Sequence, residues 1–115
     1  MLNFVSAPYT HKDQDVVEWR IQTFVEEMTR QIQMGRHPVS PLMNHLLKDR
    51  SKLEFPFPLT WDYWKDYSLK LLSKCDYISV LMFPGWEDSK GVESELEMAL
   101  NLGIPVEYVR RPEWR

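Results

Sequence analysis

The run Tyr77-Ile78-Ser79-Val80-Leu81-Met82-Phe83, closed by Pro84-Gly85 and followed by Asp88-Ser89-Lys90-Gly91-Val92, decides the fold class of this sequence. Seven mostly apolar residues with β-branched Ile78 and Val80 make a strand covered on both faces, and Pro84-Gly85 ends it. Helical spacing then takes over: Val92, Leu96, Ala99 and Gly103 recur at steps of three and four across 88–103. A second apolar strand is expected from Ile104 to Val109. Strand, loop, helix and strand in that order describe a parallel βαβ unit, with 77–83 near the centre of a sheet.

Working outward, the same alternation recurs. Leu2 to Ala7 reads as a strand, broken by Pro8 into a polar loop from Tyr9 to Gln14. From Val16 onward Val17, Ile21, Phe24, Met28 and Ile32 form an amphipathic stripe, with Asp15 and Glu18 imitating a capping box and Gly35 placed to end the helix. His37 to Ser40 is a short strand, followed by a weak helical turn from Pro41 through Leu47. Pro56 and Pro58 make 50–60 a loop whose Leu53, Phe55 and Phe57 call for burial. Thr60 caps a helix carrying Trp61, Trp64, Leu71, Leu72 and Cys75 on one face. The expectation is a single α/β domain over 1–115, three-layered and Rossmann-like (flavodoxin-like), with a small, mostly parallel central sheet.

Composition narrows the function classes. The 115 residues suit one core, and 43% apolar with 27% charged residues is the balance of a soluble globular chain. Fourteen Lys and Arg against seventeen Asp and Glu give a net charge of −3, which disfavours nucleic acid; Arg110, Arg111 and Arg115 read as a solvated basic end. Cys75 is the sole cysteine, so no internal disulfide and no zinc cluster forms, and a reducing cytoplasm fits. Neither a leader-like start nor a membrane-spanning run is seen in the sequence. His11, His37 and His45 lack metal-ligand spacing, so no metal and no cofactor are expected.

Ligands of open parallel sheets bind beyond the carboxyl ends of the strands, where connections diverge. Two loops qualify, one around Pro8-Tyr9 and one from Pro84 to Gly91. Ser89 is either a plain helix cap or part of an anion site shared with the free N–H groups and Gly91. Glu95 lies three residues after Val92 and four before Ala99, on the apolar face, whereas Glu93 and Glu97 point away. It is either a partly desolvated acid aimed at the cleft or the partner of a nearby Lys or Arg. Trp86, in the cleft loop, is a candidate to stack on a ring; Trp61 and Trp64 read as core or interface.

Ser89-Lys90-Gly91-Val92-Glu93-Ser94-Glu95, with Ala99 and Gly103-Ile104-Pro105-Val106, resembles the Ser-x-Gly-Val-x-x-Glu signature of the nucleoside 2-deoxyribosyltransferase superfamily. Ser6-Ala7-Pro8-Tyr9 is similar to that family's first loop, and Gly85-Trp86 with Asp88-Ser89 looks closest to its short bacterial and phage branch. The resemblance implies cleavage or exchange of the N-glycosidic bond of nucleosides or their 5'-monophosphates, with Glu95 as nucleophile. It implies that Ser89 and Gly91 line the sugar or its phosphate, that the Pro8-Tyr9 loop meets the base or sugar, and that Ser68 stands where the family carries an Asp. The first loop lacks the Arg that nucleotide-cleaving members use, leaving His11 and Lys12. A homodimer or larger homo-oligomer is also implied, through the Thr60 to Cys75 helix or the Phe55 to Phe57 loop. Rival readings are a catalytically silent nucleotide-binding module and a purely structural interaction protein.

Overall fold

The computed structural model of the chain describes residues 1–114. The basic end is not simply solvated as expected: Arg110 is exposed, but Arg111 binds the buried Glu27 carboxylate through Nε and Nη2, both at 3.1 Å, and Arg115 lies outside the described residues. Four strands, β1 (Leu2–Ser6), β2 (His37–Val39), β3 (Tyr77–Leu81) and β4 (Val106–Val109), form one sheet in the order β2-β1-β3-β4. Every pairing is parallel; Phe4 lies opposite both Val39 and Ile78, and Val80 opposite Tyr108. The helices are α1 (Gln14–Gln33), α2 (Pro41–Ser51), α3 (Trp61–Leu72) and α4 (Lys90–Leu102). This is the expected three-layer, Rossmann-like α/β architecture.

Strand alternation splits the interior into two cores. Phe4, Ile78 and Val80 face α3 and α4 and pack with Leu72, Cys75, Val92, Met98 and Ala99. Val5 and Leu81 face the other way, onto Phe24 and Met28 of α1, with Phe83 and Trp114 closing that layer. No helix follows β4 among the described residues; instead Trp114 sets its ring edge-on to Phe83 at 4.8 Å. The same face carries a buried polar half, where Asn3 and Ser79 meet Gln31 of α1 and Glu107 of β4.

Several sequence expectations are corrected. The cap of α1 is Asp13, whose carboxylate accepts from Asp15 N at 2.9 Å, so no Asp15–Glu18 box forms. The buried stripe of α1 runs Arg20, Phe24, Glu27 and Gln31, rotated from the expected one, and Ile32 is 62% exposed. The rotation follows from the polar half of the sheet, which needs polar partners on α1. The weak turn after Pro41 is a three-turn helix, with Ser40 as N-cap and proline in its first turn. Leu53, Phe55 and Phe57 are exposed, because the Pro56 and Pro58 loop has only one ring contact, Phe57 with Tyr63, among the described residues. Gly103 is the exposed left-handed C-cap of α4 (φ 70°), not part of its core stripe.

Candidate functional site

In the strand order the two central strands, β1 and β3, send their chains in opposite directions: after β1 toward β2, after β3 toward β4. That divergence opens a crevice at their carboxyl ends. A cavity of about 800 Å³ occupies it, lined by Tyr9 to His11 after β1, Pro84, Gly85 and Asp88 after β3, and inward residues of α1, α2, α3 and α4. The volume suits a small organic molecule.

Glu95 forms part of the cavity wall. Ser6, the last residue of β1, donates its hydroxyl to Glu95 Oε1 at 2.6 Å, and Ser68 of α3 donates to Oε2 at 2.9 Å. No cation is paired with this carboxylate among the described residues. Burial dominates and pushes its pKa up from 4.5 to about 7, while the two hydroxyl bonds pull the other way. At neutral pH the side chain is therefore poised between acid and carboxylate, a state suited to attack on an electrophilic carbon or to proton transfer.

The helix that carries Glu95 begins at the cavity. Ser89 Oγ accepts from Val92 N at 3.3 Å, which makes it the cap of α4 and leaves its own proton free to donate. The N–H groups of Lys90 and Gly91 sit in the first turn, where no intrahelical carbonyl reaches them. A Cβ built on Gly91 would meet only Ser89 Oγ, at 3.8 Å, so the protein itself does not require glycine there. The open space over Gly91 belongs to the cavity.

Facing α4, an aromatic wall rises from α2 and α3. The His45 ring stacks on Trp64 with centroids 3.6 Å apart and planes 24° apart, and Tyr9 leans on His45 at 5.7 Å. Burial lowers the His45 pKa, which keeps the ring neutral at pH 7. The Tyr9 hydroxyl donates to Asp49 at 2.8 Å, and its pKa is pushed up to about 12, by burial first and the carboxylate second. Trp61, half exposed, stands at the same wall.

Residues 2–110 match the DUF1937 family, described as a domain of unknown function. The chain belongs to that family. No curated protein matches it significantly.

Within this DUF1937 chain the structure brings Tyr9, Ser68, Ser89, Gly91 and Glu95 to one cavity, although they come from three separate segments. Two expected residues stand elsewhere. Pro8 is fully buried and turns to a small void between α1 and α2. Trp86 packs on the α3 and α4 core and against Tyr108 at 5.8 Å, away from the cavity; Trp61 and Trp64, expected to be core or interface, form the aromatic wall in its place. The reason is local. Gly85 in the left-handed region (φ 87°) turns the chain into a short 3-10 segment, Trp86–Asp88, and Trp86 meets the core beside β4.

Sequence reasoning missed Arg20, which reaches the cavity from α1. Its spacing carried the signal: Arg20, Phe24, Glu27 and Gln31 follow the i, i+4, i+7, i+11 pattern of one helix face. Lys65 of α3 also reaches the wall and was not singled out.

Proposed function

We propose that this chain is an N-glycosidase or deoxyribosyltransferase acting on nucleosides or nucleoside 5'-monophosphates, with Glu95 as its nucleophile. The observation that carries this reading is the Glu95 carboxyl, held by Ser6 and Ser68 on the wall of a cavity that also receives the start of α4. The resemblance of Ser89 to Glu95 to the deoxyribosyltransferase signature points the same way.

In the proposed reaction, a Glu95 oxygen attacks the anomeric carbon and forms a glycosyl ester. The bond from that carbon to the base nitrogen breaks, and its electron pair leaves with the base. Water, or a second base, then attacks the ester and frees Glu95. The Ser6 and Ser68 hydroxyls hold the carboxylate in one orientation, the aromatic wall of Tyr9, His45 and Trp64 receives the planar base, and Ser89 with the α4 N–H groups receives the sugar or its phosphate. The departing base needs a proton. Ser68 stands where the resembled family carries an Asp and its hydroxyl is too weak an acid to give that proton, so the base leaves without general-acid help and is protonated by bulk solvent reaching the open cleft.

That substitution also favours a second reading, a nucleotide-binding module without turnover. Incubation with a panel of deoxynucleosides and their 5'-monophosphates, monitored for free base, separates the two. Base release is expected to rise with pH through about 7 as Glu95 ionises, and Glu95→Gln is expected to lower it by roughly three orders of magnitude while the fold stays intact. Undiminished release in Glu95→Gln removes the mechanism; ligand-induced thermal stabilisation with no release by the wild type supports the binding module.

We also propose a homodimer or larger assembly. Phe55, Phe57, Trp61 and Tyr63 leave an exposed aromatic patch around the start of α3, beside the cavity. Light scattering at micromolar concentration tests this, and a monomer contradicts it.

A further inference from the structure

Arg20 is only 5% exposed, yet no carboxylate pairs with it among the described residues. Arg30, Arg36 and Arg111 are each more open to solvent, and each has a carboxylate partner. The most buried of these four cations is thus the one without a counter-charge, the reverse of what desolvation alone favours.

Its position is nevertheless built. Nη1 donates to the Thr10 carbonyl at 2.8 Å and Nη2 to the Pro84 carbonyl at 3.0 Å, so the guanidinium bridges the two loops that flank the crevice. A Cβ on Gly85 would come within 3.0 Å of Nη2. Nε has no acceptor. Two carbonyls and a close-fitting glycine fix the group on the cavity wall but do not neutralise it.

We propose that Arg20 is the charge-reading residue of this cavity and makes it select ligands that carry a phosphate monoester. The charge balance of the wall agrees. Arg20, Lys65 and Lys90 are set against Asp88 and Glu95, and Glu95 carries only part of a charge at neutral pH. The first-turn N–H groups of α4 add donors of the same sign. A phosphate dianion supplies the missing counter-charge, whereas a neutral nucleoside leaves Arg20 unpaired. The inference rests on the cavity being the substrate site and selects the 5'-monophosphate from the two substrate classes above; it does not depend on cleavage.

Calorimetric titration tests it, with inorganic phosphate, deoxyribose 5-phosphate, the four deoxynucleoside 5'-monophosphates and the four deoxynucleosides as probes. The wild type is expected to bind at least one monophosphate about tenfold or more tightly than its nucleoside. Arg20→Met is expected to bring the two within about threefold with nucleoside affinity retained, and Arg20→Lys to keep part of the preference. Equal binding of monophosphate and nucleoside by the wild type overturns the proposal, as does failure of every phosphate-bearing probe to bind. An equal loss of both affinities in Arg20→Met assigns Arg20 to loop support alone and overturns it too. If Arg20→Met does not fold, the wild-type comparison and Arg20→Lys decide. Arg20-dependent binding of deoxyribose 5-phosphate with no gain from a base upholds the phosphate site and sinks the nucleotide reading, while tight monophosphate binding without base release upholds it and sinks the glycosidase.

Discussion

Glu27 and Glu95 are two acids folded into the same small protein, on opposite sides of its sheet, and they are treated in opposite ways. Glu27 has no exposed surface and is gripped by cations: Arg30 Nη1 at 2.7 Å, and Arg111 through Nε and Nη2, both at 3.1 Å. Glu95 receives two hydroxyls and no cation. An arginine fork fixes a carboxylate as a charged strut and occupies the lone pairs that chemistry would need. Two serines leave the charge undecided and a face of the carboxyl open to the cavity. The difference teaches how to tell an acid committed to structure from one left open to chemistry: by the sign and number of its partners more than by its depth.

The sharpest way to break this comparison is to neutralise the strut. Glu27→Gln is expected to cost about 2–4 kcal/mol, because it leaves Arg111 and Arg30 facing a buried amide; partial exposure of both arginines keeps the loss below that of a fully buried pair. Urea denaturation should show it, with Tm lower by on the order of 10 °C. Base release, if present, should keep its pH dependence. A neutral effect on stability would mean the network is not a strut.

Glu95 should behave inversely. Its folded pKa of about 7 lies above the ordinary 4.5, so the folded chain holds a proton that the unfolded chain has already lost between those values. The stability this supplies is fully present below pH 4.5 and is lost as pH rises through about 7, a fall of about 3 kcal/mol at most. Glu95→Gln should flatten that slope and leave the chain at least as stable at pH 8 as the wild type. A wild-type stability that rises from pH 5 to 8 would contradict the assignment.

A smaller change sharpens the picture at a single bond. Ser68→Ala removes a hydroxyl that favours the charged form, so the Glu95 pKa should rise further and the pH midpoint of base release should move up with it. An unmoved midpoint would show that Ser68 does not tune the acid. Smallest of all, Lys70→Ala breaks the exposed pair with Asp66 (3.0 Å) and should change stability by less than about 0.5 kcal/mol, which calibrates how little a surface pair contributes beside Glu27.

The parts of the molecule legible in the sequence are those governed by short-range pattern. The run 77–83 and the Val92, Leu96, Ala99 spacing were enough for a parallel βαβ unit, and Glu95 could be separated from Glu93 and Glu97 by helix geometry alone. Serine-mediated support of Glu95 was not legible, because Ser6 is 89 residues away along the chain and Ser68 is 27 away. Arg20 and Glu27 were hidden for another reason. An apolar stripe drawn through Val17, Ile21, Phe24 and Ile32 omits polar residues, while the real buried face of α1 includes them. Trp86 was misplaced because a left-handed Gly85 reverses the direction in which the next side chain points, and one glycine in a sequence does not announce its φ.

The grip of Arg111 on Glu27 spans 84 residues, and Trp114 seals the same layer. During synthesis α1 therefore emerges with only its own Arg30 beside the buried acid, long before Arg111 can complete the pairing, and with a charged group on the face it will later bury. Such a face resists early collapse against the first strands, and β1, paired early with β2, must wait for β3 to cover its other edge. The order of assembly is expected to be late and concerted, driven by contacts of long sequence separation, so that a ribosome-bound chain halted before residue 111 stays open to protease and closes only once Arg111 is free to reach back.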